Sequence, residues 1–207
     1  MSAKTKAALR AVHAELDACE KCRKMIGPVV HGPAVPSRVF LLGQAPGPHE
    51  GKFGRPFAWT AGKTMFKWFE RTVGIDEETF RARIYMAAVA RCFPGKANGG
   101  GDRKPDPGEI ENCRPWIQRE VSILKPKLIL PVGTLAIEQV LGTSQPLIDV
   151  VGKPLHISWL GQAVDVICLP HPSGASTWHR KEPGISLLEA ALRLISNHAV
   201  MRETLGV

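Results

Sequence analysis

The chain has 207 residues, of which 44% are hydrophobic and 22% charged, so it can bury a sizeable core and reads as an ordinary globular protein. Lysine and arginine outnumber aspartate and glutamate by 27 to 19, and the net charge of +8 favours polyanionic partners such as DNA. No apolar run approaches the roughly 20 residues of a membrane helix, and the first residues lack the apolar core of a secretion signal.

Hydrophobic spacing along the chain predicts helices that alternate with short buried strands. In chain order, the predicted elements are a helix over residues 5–16, a strand over 38–42, a helix over 61–73, a strand over 84–90, a helix over 107–124, a strand over 127–132, a helix over 134–141, a strand over 164–169 and a helix over 185–195. This alternation predicts an α/β fold, namely a three-layer α/β/α sandwich with a mainly parallel central sheet. We expect a single domain over residues 1–207.

Two loops follow predicted strands directly, where open α/β sheets bind their ligands. The sequence Gly43-Gln-Ala-Pro-Gly47 follows the first strand, and its glycines let backbone amides approach a ligand closely. His171-Pro-Ser173 follows the last strand. Taken alone, His171 is better explained by a core histidine than by a catalytic one, and it is the His-Pro-Ser context that favours the catalytic interpretation.

Four of the five cysteines form a candidate metal site. Cys19 and Cys22 have the Cys-x-x-Cys spacing, and Cys92 and Cys113 each lie beside a loop rich in glycine or proline. Thiols stay reduced in the cytosol, so metal ligation is favoured over disulfides. Spacing alone fits a zinc ion and an iron-sulfur cluster equally well, and four unligated thiols are the third possibility. Cys168 lies in a predicted strand and is assigned to the core.

Together with Gly54-Arg-Pro-Phe57, the two loops resemble the motifs of the uracil-DNA glycosylase superfamily. The similarity runs from Cys19 to the final helix. The iron-sulfur branches of that superfamily, family 4 and family 5 (type B), have cluster cysteines that match the four named above. The resemblance therefore implies a 4Fe-4S cluster, with zinc as the alternative.

Details of the motifs favour family 5 (type B) over family 4. Family 4 usually has a glutamate at the position of Gln44 and an asparagine at the position of Ala88. His49 after the first motif also resembles type B. The chain departs from type B at Trp59-Thr60, where those enzymes usually have an aspartate that activates water.

The resemblance assigns roles to the residues around the two loops. His171 corresponds to the histidine that donates a hydrogen bond to the leaving base, and the Gln44 amide faces a uracil carbonyl between Gly43 and Ala45. Phe57 corresponds to the aromatic residue that stacks on the flipped base. The other candidates are Asn98 for the base edge, Ser173 and Ser176 for the DNA, and Glu50 and His49 for activation of water.

These assignments predict a DNA-repair glycosylase that hydrolyses the N-glycosidic bond of uracil, or of another deaminated base, and leaves an abasic site. Thr60 and Ala88 keep a second hypothesis open, namely a catalytically weak or inactive relative that binds damaged DNA. A third hypothesis is covalent capture of the abasic sugar by His179. We expect a cytoplasmic, nucleoid-associated monomer that binds DNA and no membrane.

Overall fold

A computed structural model describes residues 2–206. Within this range the chain forms five β-strands, at Val39–Gly43 (β1), Tyr85–Ala88 (β2), Leu128–Pro131 (β3), Pro154–Trp159 (β4) and Gln162–Ile167 (β5). The α-helices of the same range are Ala3–Asp17 (α1), Glu50–Phe53 (α2), Thr60–Val73 (α3), Glu77–Arg83 (α4), Pro107–Leu124 (α5), Thr134–Leu141 (α6), Leu147–Val150 (α7), Gly184–Asn197 (α8) and Ala199–Leu205 (α9). No helix among these residues is long and apolar enough to cross a membrane.

The five strands form one sheet in the order β2-β1-β3-β5-β4. The first four strands of that order run parallel to one another, and β4 pairs antiparallel with β5 at the edge. All residues of β1, β2 and β3 are buried, which explains their unbroken apolar sequences. The predicted α/β/α fold with a mainly parallel sheet is confirmed.

The edge strand β4 is the element that the sequence analysis missed. Its side chains alternate between exposed and half-buried positions, so it lacks the apolar run by which the other strands were found. A two-residue turn at Leu160 and Gly161, both with positive φ, connects it to β5. Such turns match the twist of a hairpin, and Gly161 was the only local signal for one here. Four short helices were also not predicted, namely α2 and α7 with 4 residues each and α4 and α9 with 7 residues each.

Two helix pairs pack beside the sheet, α1 with α5 and α3 with α8. The start of α5 agrees with the prediction because Asp106 caps it and Glu109 completes a capping box. Helices α1 and α5 enclose a small apolar cluster of Val12, Leu16 and Trp116, apart from the main core. This pair brings two of the cysteine segments close to each other.

Candidate active site

A cavity of about 430 Å³ opens where β1 and β2 end, at the edge of the sheet expected for ligand binding. The first loop contributes Gly43, Gln44, Ala45 and Glu50 to its wall. Phe57, His171 and Ser173 reach the same cavity from other segments. The structure thus brings seven of the ten predicted catalytic and substrate-binding residues together.

The first loop holds two backbone N–H groups ready for a ligand. The carbonyl oxygens of Gly43 and Gln44 accept hydrogen bonds from Val89 and Ala90, at 2.9 and 3.0 Å. Within residues 2–206, the N–H groups of Gln44 and Ala45 make no hydrogen bond to another residue. The two carbonyls bond to the segment that follows β2, whereas the N–H groups of Gln44 and Ala45 have no partner among the described residues. These N–H groups are therefore available to an acceptor in the cavity.

Phe57 is held in a left-handed conformation, with φ of 53°. Its carbonyl oxygen accepts a hydrogen bond of 2.8 Å from Arg81, whose guanidinium also donates to the carbonyl of Pro56 at 2.9 Å. A Cβ on Gly43 would lie 2.8 Å from the Phe57 ring, and one on Gly62 would lie 1.7 Å from its carbonyl oxygen. The sequence analysis missed Arg81, which fixes the backbone that carries the aromatic ring.

His171 is oriented by its own loop and by Gly133. The N–H of Ser173 donates to Nδ1 of His171 at 3.3 Å, so the neutral ring carries its proton on Nε2. A Cβ on Gly133 would lie 3.2 Å from the Cβ of His171, so only glycine leaves space for this side chain. Burial lowers the pKa of His171, the charge of Asp102 raises it, and His179 lowers it. The net shift is downward, which keeps the ring neutral.

Three predicted site residues do not reach the cavity. Asn98 is exposed in the glycine-rich loop and does not line the cavity, so nothing in the structure supports its expected contact with a base edge. His49 packs against Trp59 with a ring separation of 4.6 Å, and Ser176 is half-buried beyond the wall formed by Ser173. His179 is itself buried, which does not favour its covalent role.

Comparison with known proteins identifies the family. A family profile described as "Uracil DNA glycosylase superfamily" matches residues 29–194. The chain belongs to the uracil-DNA glycosylase superfamily. The matched segment includes both loops, Phe57 and the whole sheet.

Relatives within the superfamily lie mainly among the type-4 enzymes. The chain is 28% identical over 175 residues to a type-4 uracil-DNA glycosylase of Sulfurisphaera tokodaii, covering 81% of this chain and 75% of that protein. A type-4 enzyme of Pyrobaculum aerophilum is 28% identical over 80% of this chain and 83% of its own length. A type-5 enzyme of Pyrobaculum aerophilum is 27% identical over 51% of this chain and 48% of its own length. The predicted preference for family 5, which rested on a few motif positions, is not supported.

The four cysteines of the predicted metal site, Cys19, Cys22, Cys92 and Cys113, line a second cavity, of about 410 Å³. Its walls meet because Ile26 pairs with Phe93 in an antiparallel bridge, which joins the first cysteine pair to the Cys92 segment. Burial and the three neighbouring thiols raise the pKa of Cys92 to about 11. As the side chains stand, no group of three or more His, Cys, Asp or Glu residues within residues 2–206 is arranged to hold a metal ion.

Two polar side chains beside this cysteine cavity nevertheless suit a negatively charged ligand. Arg91 is 1% exposed and pairs with Glu120 at 2.5 Å, while its Nε and Nη1 have no partner in the described chain. Its charge lowers the pKa of the Cys113 thiol, against the larger effect of burial, which raises it. Asn112 Nδ2 donates to Cys22 Sγ at 3.5 Å. A buried cation and an amide donor beside four thiols fit a negatively charged metal-thiolate group.

Asp102 is a pocket residue that the sequence analysis did not name. Asp102 follows the segment Gly95–Gly101 and lines the cavity together with Lys96. Its Oδ1 accepts a hydrogen bond of 2.6 Å from Nζ of Lys96. The sequence of this glycine-rich loop does not predict which of its residues pair with each other, so the position of Asp102 could not be predicted. A turn of three successive glycines followed by an acid was the available signal.

Proposed function

We propose that the protein is a uracil-DNA glycosylase that hydrolyses the bond between base and deoxyribose in DNA. The observation that carries this proposal is the convergence of His171 with the unpaired amides of Gln44 and Ala45 in one cavity. Hydrolysis of this bond places negative charge on the leaving base, and donors fixed in advance stabilise that charge. The names of the type-4 relatives support uracil as the base.

His171 is the proposed donor to the base oxygen that becomes negative. Its Nδ1 is occupied by the N–H of Ser173, so Nε2–H is the donor left for a ligand. A neutral imidazole whose pKa is lowered by burial donates this hydrogen bond without giving up its proton. Removal of one such donor costs about 10² to 10³ in rate.

The base is proposed to stack on Phe57 while its carbonyl accepts from the first loop. The ring of Phe57 lies against Gly43, so an inserted base would meet the aromatic face and the backbone amides at the same time. Ala88, the neighbour of Gly43 on β2, provides only a methyl group to the wall of the cavity. This wall leaves room for a deaminated purine such as hypoxanthine or xanthine beside uracil.

The DNA strand is proposed to cross a basic rim. Lys96, Arg103 and Lys104 line the cavity, and Lys104 is exposed. Cations at the mouth of the pocket would contact the phosphates on either side of the extruded nucleotide. Ser173 and Ala175 lie on the same wall, where the loop after His171 would meet the sugar-phosphate backbone.

We further propose that the four cysteines hold a 4Fe-4S cluster. The cavity that they line, the buried Arg91 and the donor on Asn112 support this assignment. A single zinc ion would need all four sulfurs within about 2.3 Å of one point, whereas a cluster spreads its thiolates around several metals. The bound group would tie α1, the Cys92 segment and α5 together.

The proposed function is tested with labelled oligonucleotides that carry one uracil, hypoxanthine or xanthine, in single-stranded and duplex form. We expect abasic product from uracil, with a loss of about 10² to 10³ in His171→Ala. His156→Ala is the matched control, because His156 is exposed on the edge strand. If every substrate is bound but none is cleaved, the chain is a DNA-binding relative without glycosylase activity.

The cluster is tested separately, by iron and sulfide analysis and visible absorption of the purified protein. We expect iron and sulfide in wild type, and their loss in Cys92→Ala. Cys168→Ala should retain both, because Cys168 is buried in the core and burial raises the pKa of its thiol to about 12. Zinc without iron would contradict the assignment.

A further inference from the structure

A carboxylate enters the active-site cavity from the segment between Cys92 and Cys113. We propose that Asp102 activates the water that attacks the deoxyribose. This proposal rests on the glycosylase function above and names a catalytic residue for it. It is carried by the position of Asp102 between the first loop and His171.

The segment around Asp102 is a short hairpin, which fixes where the carboxylate lies. Lys96 and Asp102 pair as an antiparallel bridge, and Arg103 N–H donates to the carbonyl of Gly95 at 3.0 Å. Gly100 and Gly101 have φ of 84° and 74°, which allows the chain to reverse there without strain. The glycine-rich segment therefore forms a defined turn, which places the carboxylate of Asp102 at the cavity.

The hairpin is anchored on its C-terminal side to the beginning of α5. Arg103 makes a two-pronged ion pair with the buried Glu109, at 2.7 and 2.5 Å. Glu109 also accepts the N–H of Asp106 at 2.8 Å, as part of the cap of that helix. Two parallel charge-assisted bonds restrict rotation at Arg103. The neighbouring Asp102 is thus held in position from both sides.

Asp102 faces the groups that would surround the reacting sugar. Its Oδ2 lies 3.6 Å from the point where a Cβ on Gly47 would stand. Its negative charge also acts on His171, whose pKa it raises against the larger effect of burial. One carboxylate therefore lies between the loop that binds the base and the histidine that stabilises it.

Glu50 is the competing acid, and its oxygen is already engaged. Glu50 Oε2 accepts the N–H of Gly47 at 3.0 Å, and the residue is 7% exposed. This bond makes Glu50 a support of the first loop. Asp102 uses Oδ1 for its bond to Lys96, and its Oδ2 has no hydrogen-bond partner among residues 2–206. Glu50 Oε1 is likewise without a partner among residues 2–206, so what favours Asp102 is that Glu50 is buried and holds the first loop, whereas the charge of Asp102 acts on His171.

The chemical step is a hydrolysis without any further reactant. The bond between the base nitrogen and C1′ of the sugar breaks, and its electron pair leaves with the base. A water oxygen forms the new bond to C1′, and the proton that it loses goes to Asp102 Oδ2. His171 donates its hydrogen bond to the departing base anion, which then takes a proton from solvent. The products are an abasic sugar and the free base.

The test measures single-turnover excision of uracil from an oligonucleotide by wild type, Asp102→Asn and Asp102→Ala. Asparagine keeps an oxygen that can accept from Lys96, so Asp102→Asn removes the base while it preserves the hairpin. We expect its rate constant to fall by about 10² to 10⁴, with affinity for an abasic-site oligonucleotide and the thermal midpoint retained. Formate should restore the rate of Asp102→Ala by at least about tenfold, because it supplies a carboxylate to the space.

Asp149→Asn is the control for loss of an exposed acid remote from the cavity. An Asp102→Asn rate within about threefold of wild type would overturn the proposal, as would formate rescue of Glu50→Ala in place of Asp102→Ala. Equal losses of affinity and rate, without rescue, would assign Asp102 to structure and also overturn it. Absence of excision by wild type would instead contradict the proposed function itself.

Discussion

The Nη2 atom of Arg81 donates a hydrogen bond of 2.8 Å to the carbonyl oxygen of Phe57. The guanidinium is buried, lies 4.6 Å from the centre of the Phe66 ring and pairs with Glu77 at 2.8 Å. Arg81 thus connects α4 to a backbone segment whose φ is unfavourable for a phenylalanine. The aromatic wall of the cavity depends on a residue that does not itself line it.

Replacement of Arg81 by methionine is expected to misplace Phe57. Two buried carbonyls lose their donor, which costs about 1–3 kcal/mol in the free energy of unfolding. Excision should also fall by up to about 10²-fold, because the stacking ring would no longer be held against Gly43. Urea unfolding and single-turnover kinetics measure the two effects. Arg83→Met is the control, since Arg83 is exposed at the end of the same helix; equal effects in both variants would refute the role.

A matched pair of glycine substitutions tests the space that Gly133 provides to His171. Gly133 and Gly142 have φ of 86° and 73°, but only a Cβ on Gly133 would contact the histidine, at 3.2 Å from its Cβ. The strain is larger in Gly133→Ala, because φ of 86° with ψ of 162° is a conformation essentially restricted to glycine and costs about 1–3 kcal/mol, against about 1–2 kcal/mol for the left-handed conformation of Gly142. We expect Gly133→Ala alone to lose excision activity beyond its loss of stability. Similar activity in the two variants would mean that His171 tolerates the displacement.

The fold was predictable because most of its elements leave strong local signals. Three of the four parallel strands are fully buried and have unbroken apolar sequences, while β5 also contains Asp165. Helix α5 begins with Asp106, proline and Glu109 in the pattern of a capped helix. The cavity was predictable because Gly43 and His171 belong to loops that follow strands. The four cysteines line one cavity, but their role as metal ligands stays a prediction, and spacing could not decide what they hold.

The remaining features depend on contacts between distant segments, which local patterns do not encode. Arg81 reads as an ordinary basic residue of a short helix until the structure places it under Phe57. Asp102 follows three glycines, whose conformational freedom prevents a register from being assigned without the Lys96 bridge. Asn98 lies in the same loop, whose register could not be assigned from the sequence, and the structure places it in an exposed position of the hairpin.

Excision is expected to be insensitive to pH where histidines ordinarily titrate. Burial lowers the pKa of His171 from 6.5, so its neutral form, with the proton on Nε2, persists as the pH falls through that value. Protonation of Nδ1 would also oppose the N–H of Ser173. Single-turnover rate constants measured between about pH 5 and 8 should therefore show no step near 6.5. A decline centred at that value in wild type, absent in His171→Ala, would show that the ring titrates as a free histidine.

Acid sensitivity of the fold should depend on His13, which is buried beside the cysteine cavity. Its Nε2 is 2.9 Å from the hydroxyl of Tyr85, and burial, with smaller effects of His31 and Arg91, lowers its pKa from 6.5 to about 3. A lowered folded pKa means that the unfolded chain takes up a proton that the folded chain does not. This contribution to stability is fully present above pH 6.5 and is lost progressively as the pH falls toward 3.

The variant His13→Gln separates this effect from other acid-sensitive groups. Glutamine can hydrogen-bond to Tyr85 but does not titrate, so the free energy of unfolding should fall less between about pH 7 and 5 than in wild type. Tyr85→Phe is the control, because it removes the hydrogen bond between His13 and Tyr85 but leaves His13 free to titrate. This variant should be destabilised at both pH values and keep the acid-dependent loss. Urea unfolding at the two pH values measures all three proteins. If His13→Gln loses as much stability on acidification as wild type, folding does not lower the pKa of His13 and the prediction is wrong.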